Sequence, residues 1–90
     1  MSKLVMVIDN SLTVRKIIET SLRREGIASV SYADGLEALR ALQEKRHAVP
    51  DLVILDIGLP KMDGYEIARH LKAEQQFGHT VIIMLSGRMA

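Results

Sequence analysis

The chain has 90 residues, of which 48% are hydrophobic and 26% are charged, an ordinary balance for one globular domain. Twelve basic and eleven acidic side chains leave a net charge of +1, so no broad field points to nucleic acid or a membrane surface as a partner. The absence of cysteine excludes a disulfide framework and thiolate metal sites. Residues 1–10 lack a signal-peptide pattern and no apolar stretch reaches ~20 residues, so we expect a cytoplasmic protein.

The first half of the chain predicts two strands and two helices. An apolar run at 3–8 is followed by a helix with Ser11 as its cap, apolar positions from Val14 to Leu22, and Gly26 just past its end. Residues 28–32 read as a short strand. A second helix starts at the capping pair of Asp34 and Glu37 and carries an apolar stripe of Leu36, Leu39 and Leu42.

The second half of the chain repeats this alternation. The β-branched run at 52–55 is typical of a strand buried on both faces of a parallel sheet, and Asp56 stands where it ends. A third helix is predicted at about 64–73, with Asp63 as its cap. Residues 74–80 are expected to be a polar connection, and 81–85 are expected to be a fourth strand of the buried type.

The alternation of strands and helices indicates right-handed crossovers and a doubly wound parallel α/β sheet. The pattern leaves two common strand orders open. If the first and third strands are neighbours, Asp9 and Asp56 leave the sheet at one edge, on strands about 4.8 Å apart. Ser86 leaves the fourth strand at the same edge. The sequence therefore predicts a polar site at the carboxyl ends of the strands.

Two carboxylates this close repel each other, and a hard divalent cation such as Mg²⁺ would relieve the repulsion. Carboxylate oxygens, the Asn10 amide oxygen and backbone carbonyls would suit such a cation. A carboxylate beside Mg²⁺ is also a known type of phosphoryl acceptor. Donors to a phosphoryl oxygen could come from the Ser86 hydroxyl and from the backbone N–H groups of Ile57 and Gly87.

Three stretches together resemble the receiver domain of bacterial two-component response regulators: residues 7–11 (Val-Ile-Asp-Asn-Ser), Leu55-Asp56 through Met62-Asp63-Gly64, and residues 83–87 (Ile-Met-Leu-Ser-Gly). The resemblance covers the whole chain and implies a flavodoxin-like receiver fold, with strand order 2-1-3-4 here. It implies a signalling module rather than an enzyme, which takes phosphate from a histidine kinase, a phosphotransfer protein or a small acyl phosphate. Carried over by position, it makes Asp56 the phosphoacceptor and Ser86 the switch hydroxyl, with Mg²⁺ held by Asp9, Asn10, Asp56 and the Gly58 carbonyl.

Two departures from the family pattern matter. The family usually has a second acid where this chain has Asn10, so we expect weaker affinity for Mg²⁺. A complete receiver also has five strands and five helices, with a lysine after the fifth strand, whereas this sequence stops just past the fourth. We therefore expect residues 1–90 to form a receiver domain that is incomplete at its C-terminus. The strand at 81–85 would then be a bare apolar edge, and we expect a homo-oligomer formed through that edge or by exchange of an element.

One other interpretation of the chain stays open, and two are disfavoured by the sequence. A receiver-like dimerisation or docking module that takes no phosphate is the main alternative, favoured by Asn10 and by the missing lysine. A flavodoxin-like cofactor binder would need a Gly-rich loop where residues 10–13 stand. A phosphohydrolase would need an acid–base residue soon after Asp56. Asn10 could equally be a turn residue, Asp63 is better explained as a helix cap, and all three histidines read as surface residues.

Overall fold

The computed structural model describes residues 3–59 and 63–85. Strands and helices alternate along them, and a single-turn 3₁₀ helix at Gln75–Phe77 precedes the last strand. The strands are β1 (Leu4–Ile8), β2 (Ala28–Tyr32), β3 (Leu52–Asp56) and β4 (Val81–Leu85), and the helices are α1 (Leu12–Arg24), α2 (Gly35–Gln43) and α3 (Gly64–Ala73).

The four strands form one parallel sheet in the order β2-β1-β3-β4, which confirms the predicted fold class. Ile8 at the end of β1 is in register with Tyr32 on one side and with Leu55 on the other. The next residues, Asp9 and Asp56, therefore leave two neighbouring strands at the same edge of the sheet.

The two faces of the sheet are covered differently. Alternate residues of a strand point to opposite faces, and Met6 and Ile8 pack into a core with residues of α2 and α3, including Leu42 and Ile67. Helix α1 lies on the other face, where the Glu19 carboxylate accepts a hydrogen bond from the Ser31 hydroxyl. The main core thus lies between the sheet and the α2–α3 pair, and it supports β1 and β3 from one side.

Each helix begins at a capping side chain that the sequence predicts. The side chains of Ser11, Asp34 and Asp63 each accept a hydrogen bond from the backbone N–H three residues later, at 3.2, 2.8 and 2.9 Å. Such caps satisfy N–H groups that have no partner in the first helical turn. Gly26 follows α1 with φ of +72°, a left-handed conformation that costs glycine little.

Two expectations about the second half differ from the structure. The expected polar connection at 74–80 contains the 3₁₀ helix, and its Phe77 is only 2% exposed. Strand β4 is not buried on both faces: Ile82 and Met84 pack against the core, but Val81, Ile83 and Leu85 are 58%, 45% and 41% exposed. No helix or strand of the described ranges covers these three side chains.

His47 also differs from its prediction as a surface residue. It is half-buried, and its Nε2 lies 3.0 Å from the Tyr32 hydroxyl. Burial raises the pKa of that hydroxyl, and the two rings stack with centroids 6.1 Å apart. The contact ties the connection after α2 to the end of β2. Among the helices that the structure describes, none is long and apolar enough to cross a membrane.

Candidate functional site

Two buried acids lie side by side at the carboxyl edge of the sheet. Asp9 and Asp56 are 9% and 8% exposed, and they follow Ile8 and Leu55, which are paired in register. Parallel strands are about 4.8 Å apart, so the two carboxylates lie on neighbouring strands at the same level. The structure therefore brings together the two acids that the sequence predicts to be the centre of the site.

Each carboxylate is held by a local turn through one oxygen. Asp9 Oδ1 accepts a hydrogen bond from the Ser11 N–H at 2.8 Å, and Asp56 Oδ1 accepts one from the Gly58 N–H at 3.0 Å. Within residues 3–59 and 63–85, no protein group donates to either Oδ2. Each acid thus has one oxygen fixed by the backbone and a second one available to a ligand.

The backbone of Asp9 is fixed from two further directions. Its N–H donates to the Tyr32 carbonyl at 3.1 Å, which extends the pairing of β1 with β2. Its carbonyl accepts a hydrogen bond from Arg15 Nη1 at 2.6 Å. The sequence does not mark Arg15 as a site residue, because no motif or helical spacing signals a side chain that reaches a carbonyl six residues earlier.

Gly64 at the start of α3 is required by close packing against the end of β3. A Cβ at this position would lie 2.8 Å from the Asp56 carbonyl oxygen and 2.9 Å from Ile57 Cα, distances that real Cβ atoms essentially never show. The Gly64 N–H also donates to the Ile57 carbonyl at 3.1 Å. The sequence predicts a helix that starts at about residue 64, with Asp63 as its cap, but not that α3 rests directly on the peptide that carries Asp56.

The remaining predicted site residues differ in where they lie and in whether the structure describes them. The Ile57 N–H donates to the Leu85 carbonyl at 3.0 Å, so it belongs to the β3–β4 ladder, and the prediction that it binds a phosphoryl oxygen needs correction. The backbone donor beside the acceptor carboxylate is the Gly58 N–H instead. Asn10 is exposed and directly follows Asp9. Ser86 and Gly87 lie outside the described residues, so their predicted roles stay predictions.

The oxygen atoms at this edge of the sheet suit a hard cation that takes few of its ligands from the protein. In the part of the chain that the structure describes, no three or more His, Cys, Asp or Glu side chains cluster as a metal site. Mg²⁺ commonly uses only one or two carboxylates and completes its shell with water and substrate phosphate. The paired oxygens of Asp9 and Asp56, with Asn10 and the Gly58 carbonyl nearby in sequence, therefore fit Mg²⁺ better than they fit a soft metal.

Fold and site together define a doubly wound parallel α/β domain with an acidic pair at the carboxyl ends of its central strands, where such sheets bind ligands. The family model of the response regulator receiver domain matches residues 5–90. The chain therefore belongs to the receiver domain family of two-component signalling, a family of signalling domains.

Known proteins of this family align over almost the whole chain. Protein PilG of Pseudomonas aeruginosa is 36% identical over 84 residues, which are 93% of this chain and 60% of PilG. The probable transcriptional regulator ycf27 of Cyanophora paradoxa is 39% identical over 93% of this chain and 33% of its own length. The crystal structure of the chemotaxis protein CheY4 of Vibrio cholerae superposes with a TM-score of 0.87 at 29% identity, covering all of this chain and 72% of CheY4.

The chain thus spans 60% of PilG and about a third of ycf27. Both relatives are therefore longer than the region that this chain matches, ycf27 more so than PilG.

Proposed function

We propose that this receiver domain accepts a phosphoryl group on Asp56, from a histidine kinase or a phosphotransfer protein, and that the modification switches its contacts with partner proteins. The observation that carries the proposal is the pair of buried acids, each with one oxygen tied by a backbone N–H and one left for a ligand. The donor would meet it in the cytoplasm, the reducing compartment that a cysteine-free sequence suits.

In the proposed reaction, an oxygen of Asp56 attacks phosphorus and a new P–O bond forms. The bond between phosphorus and the donor breaks, and its electron pair leaves with the imidazole nitrogen of a phosphohistidine or with the carboxylate of an acyl phosphate. The product is an aspartyl phosphate, a mixed anhydride. Because β3 and its turn hold the carboxylate of Asp56, the nucleophile is already in place before the donor arrives.

Nearby groups of the chain would steady the phosphoryl oxygens. The Gly58 N–H lies 3.0 Å from Asp56 Oδ1 and could turn to a phosphoryl oxygen, and the predicted donors Ser86 and Gly87 would approach from the end of β4. Mg²⁺ held by Asp9, Asn10, Asp56 and the Gly58 carbonyl would supply positive charge to the transferring group. Asp9 would hold the cation next to the acceptor through its available Oδ2.

The test is intact mass spectrometry of the chain after incubation with acetyl phosphate and Mg²⁺. We expect a gain of one phosphoryl group in the wild-type chain and none in Asp56→Ala. Asp51→Asn is the matched control, because Asp51 contacts the Leu4 N–H at the opposite end of the sheet and Asn retains the acceptor. A folded wild-type chain that gains nothing, or an Asp56→Ala variant that gains as much, would disprove the proposal.

One observation favours a second candidate, a receiver-like docking module that takes no phosphate. Asn10 stands where the family usually has a second acid, and the described site has only two carboxylates. The missing negative charge lowers the Coulomb attraction of the site for a cation. The same mass measurement separates the two candidates, because a docking module would stay unmodified while remaining folded.

We also propose that the chain self-associates through β4. On the described residues β4 pairs with β3 alone, so its other edge offers unpaired backbone groups. Its five residues are all apolar, and three of them are more than 40% exposed. Natural edge strands are usually protected by charges, proline or bulges, and β4 has none of these. An antiparallel pair of β4 strands around a two-fold axis would satisfy both edges.

A further inference from the structure

Arg15 forms a link between α1 and the acid pair that the proposed function does not use. Its guanidinium is half-buried, and its Nη1 donates to the Asp9 carbonyl at 2.6 Å. A hydrogen bond from a charged donor is shorter and stronger than one between neutral groups. Arg15 touches Asp9 through the backbone and not through the carboxylate, so it leaves the ligand-binding oxygen free.

A second polar contact of α1 joins this helix to β2. One helical turn after Arg15, the Glu19 carboxylate accepts a hydrogen bond from Ser31 at 2.5 Å and lies 3.6 Å from Lys16 Nζ. The Ser31 hydrogen bond is the main cause of a lowered pKa of Glu19, and the positive charges of Lys16 and Arg15 lower it further. Glu19 is therefore an anion at neutral pH that ties α1 to β2 through Ser31.

Asp9 has its other polar groups bound as well. Its N–H, carbonyl and Oδ1 contact Tyr32, Arg15 and Ser11 respectively. Rotation of the carboxylate, or a shift of the turn after β1, would break at least one of these bonds. Of the three, the Arg15 contact is the one supplied by a side chain that can be replaced without changing the backbone of the turn.

We propose that Arg15 is a positioning residue for cation binding: by anchoring the Asp9 carbonyl, it keeps Asp9 Oδ2 directed at the site it shares with Asp56. This inference rests on the proposed function, because it assumes that the acid pair binds Mg²⁺. Groups that orient a metal ligand without touching the metal commonly change its affinity by tenfold or more when they are removed.

A positioning role for Arg15 and a purely electrostatic role predict opposite changes in Mg²⁺ affinity when its positive charge is removed. Removal of a positive charge near a cation site lowers the repulsion that the cation meets, so electrostatics alone predicts tighter binding of Mg²⁺. Loss of an anchor releases Asp9 and predicts weaker binding. A change in affinity of Arg15→Gln therefore identifies the mechanism by its direction, provided that the variant folds.

The experiment is a Mg²⁺ titration of the ¹⁵N-labelled, unphosphorylated chain, followed by the backbone amide shifts of Asp9 and Asp56. The variants are Arg15→Gln and Arg15→Lys, with Lys16→Gln as the matched control. Lys16 loses the same charge one residue further along α1, but its ammonium contacts Glu19 and not Asp9. Amide spectra without Mg²⁺ show whether each variant keeps the native fold. If Arg15→Gln does not fold, Arg15→Lys, which retains the charge, tests the contact in its place.

We expect Arg15→Gln to weaken Mg²⁺ binding about tenfold, Arg15→Lys to restore part of the loss, and Lys16→Gln to leave the affinity unchanged or slightly raised. Unchanged or tighter binding by Arg15→Gln, or an equal loss in Lys16→Gln, would overturn the inference while leaving the site intact. A wild-type chain whose Asp9 and Asp56 amides do not respond to Mg²⁺ would overturn the cation site itself and this inference with it.

Discussion

At the level of single residues, Asp9 and Asp56 each have one carboxylate oxygen bound by the backbone and one without a protein donor among the described residues. In each acid, Oδ1 accepts a hydrogen bond from the backbone N–H two residues later, and this bond fixes the direction of the carboxylate. The remaining oxygen has no protein donor among the described residues. Among the described residues, no fully buried side-chain oxygen or nitrogen lacks a hydrogen-bond partner, so these two oxygens reach the surface. The surrounding elements have to hold each carboxylate in place.

Gly64 is part of that support, and Gly64→Ala should destabilise the domain. The added methyl would meet backbone atoms of Asp56 and Ile57 at 2.8 and 2.9 Å, so α3 would have to move away from the acceptor strand, at a cost of about 1–3 kcal/mol. Gly58→Ala is the matched control, because its Cβ would meet only Asp56 Oδ1 at 3.9 Å. Urea unfolding measures both variants, and equal midpoints would contradict the close packing described here.

The pair of Glu19 and Ser31 predicts a pH-dependent stability difference. The Ser31 hydrogen bond holds the pKa of Glu19 below the ordinary value of 4.5, so folding favours the charged form. The stabilisation is present above pH 4.5 and is lost as the pH falls through the lowered pKa of the folded state.

Ser31→Ala should therefore be less stable than wild type at neutral pH, by about 1 kcal/mol, and the difference should shrink in acid. Ser29→Ala, on the same face of β2, is the control, because no described residue forms a hydrogen bond with the Ser29 hydroxyl. Urea unfolding at pH values above and below 4.5 tests this. A difference that is the same at every pH would show that Glu19 is not the partner that matters.

At the scale of elements, apolar runs and capping residues were sufficient to predict the strands and the helix starts. Ser11, Asp34 and Asp63 cap their helices as predicted, because capping depends on residues that are close in sequence. Contacts between elements leave weaker signals in the sequence than caps do. The Arg15 bond to Asp9, the fit of Gly64 against β3 and the burial of Phe77 all depend on which elements meet in the fold. Ile57 is a similar case, because its N–H is used by a neighbouring strand.

The short 3₁₀ helix after α3 anchors the second half of the fold through Phe77. This side chain is 2% exposed and belongs to the main core, so Phe77→Ala should cost about 3–5 kcal/mol, a large part of the stability of a small domain. Phe77→Leu retains most of the volume and should cost about 1 kcal/mol. Thermal unfolding followed by circular dichroism measures both, and a small loss in Phe77→Ala would show that the residue is not part of the core.

At the scale of the whole molecule, the sheet is protected on one face and exposed at one edge. Helices α2 and α3 cover β1 and β3 on the core side, and α1 covers part of the other face. The outward-facing row of β4, which consists of Val81, Ile83 and Leu85, stays exposed. A single domain of 90 residues buries a modest share of its surface, so this row is a large exposed apolar feature for its size. This exposed row is the feature on which the proposed self-association through β4 rests.

Ile83→Lys should keep the chain monomeric by placing a charge at the centre of the β4 edge. Sedimentation velocity over a concentration series should show a dimer for wild type and a monomer for the variant. Leu36→Lys is the control, because Leu36 is 45% exposed on α2, which packs on the opposite face of the sheet from Ile83 and contacts β2 at the other edge. A wild-type chain that stays monomeric at the highest concentrations, or a dimer that survives Ile83→Lys, would refute pairing through β4.

The proposal that Asp56 accepts the phosphoryl group is tested most directly by locating the phosphate on the chain. Wild-type protein is incubated with acetyl phosphate and Mg²⁺ and then reduced with borohydride, which converts an aspartyl phosphate to homoserine. Peptide mass spectrometry then identifies the converted residue. We expect homoserine at position 56 and nowhere else. Conversion at another aspartate, or no conversion in a folded chain, would contradict it.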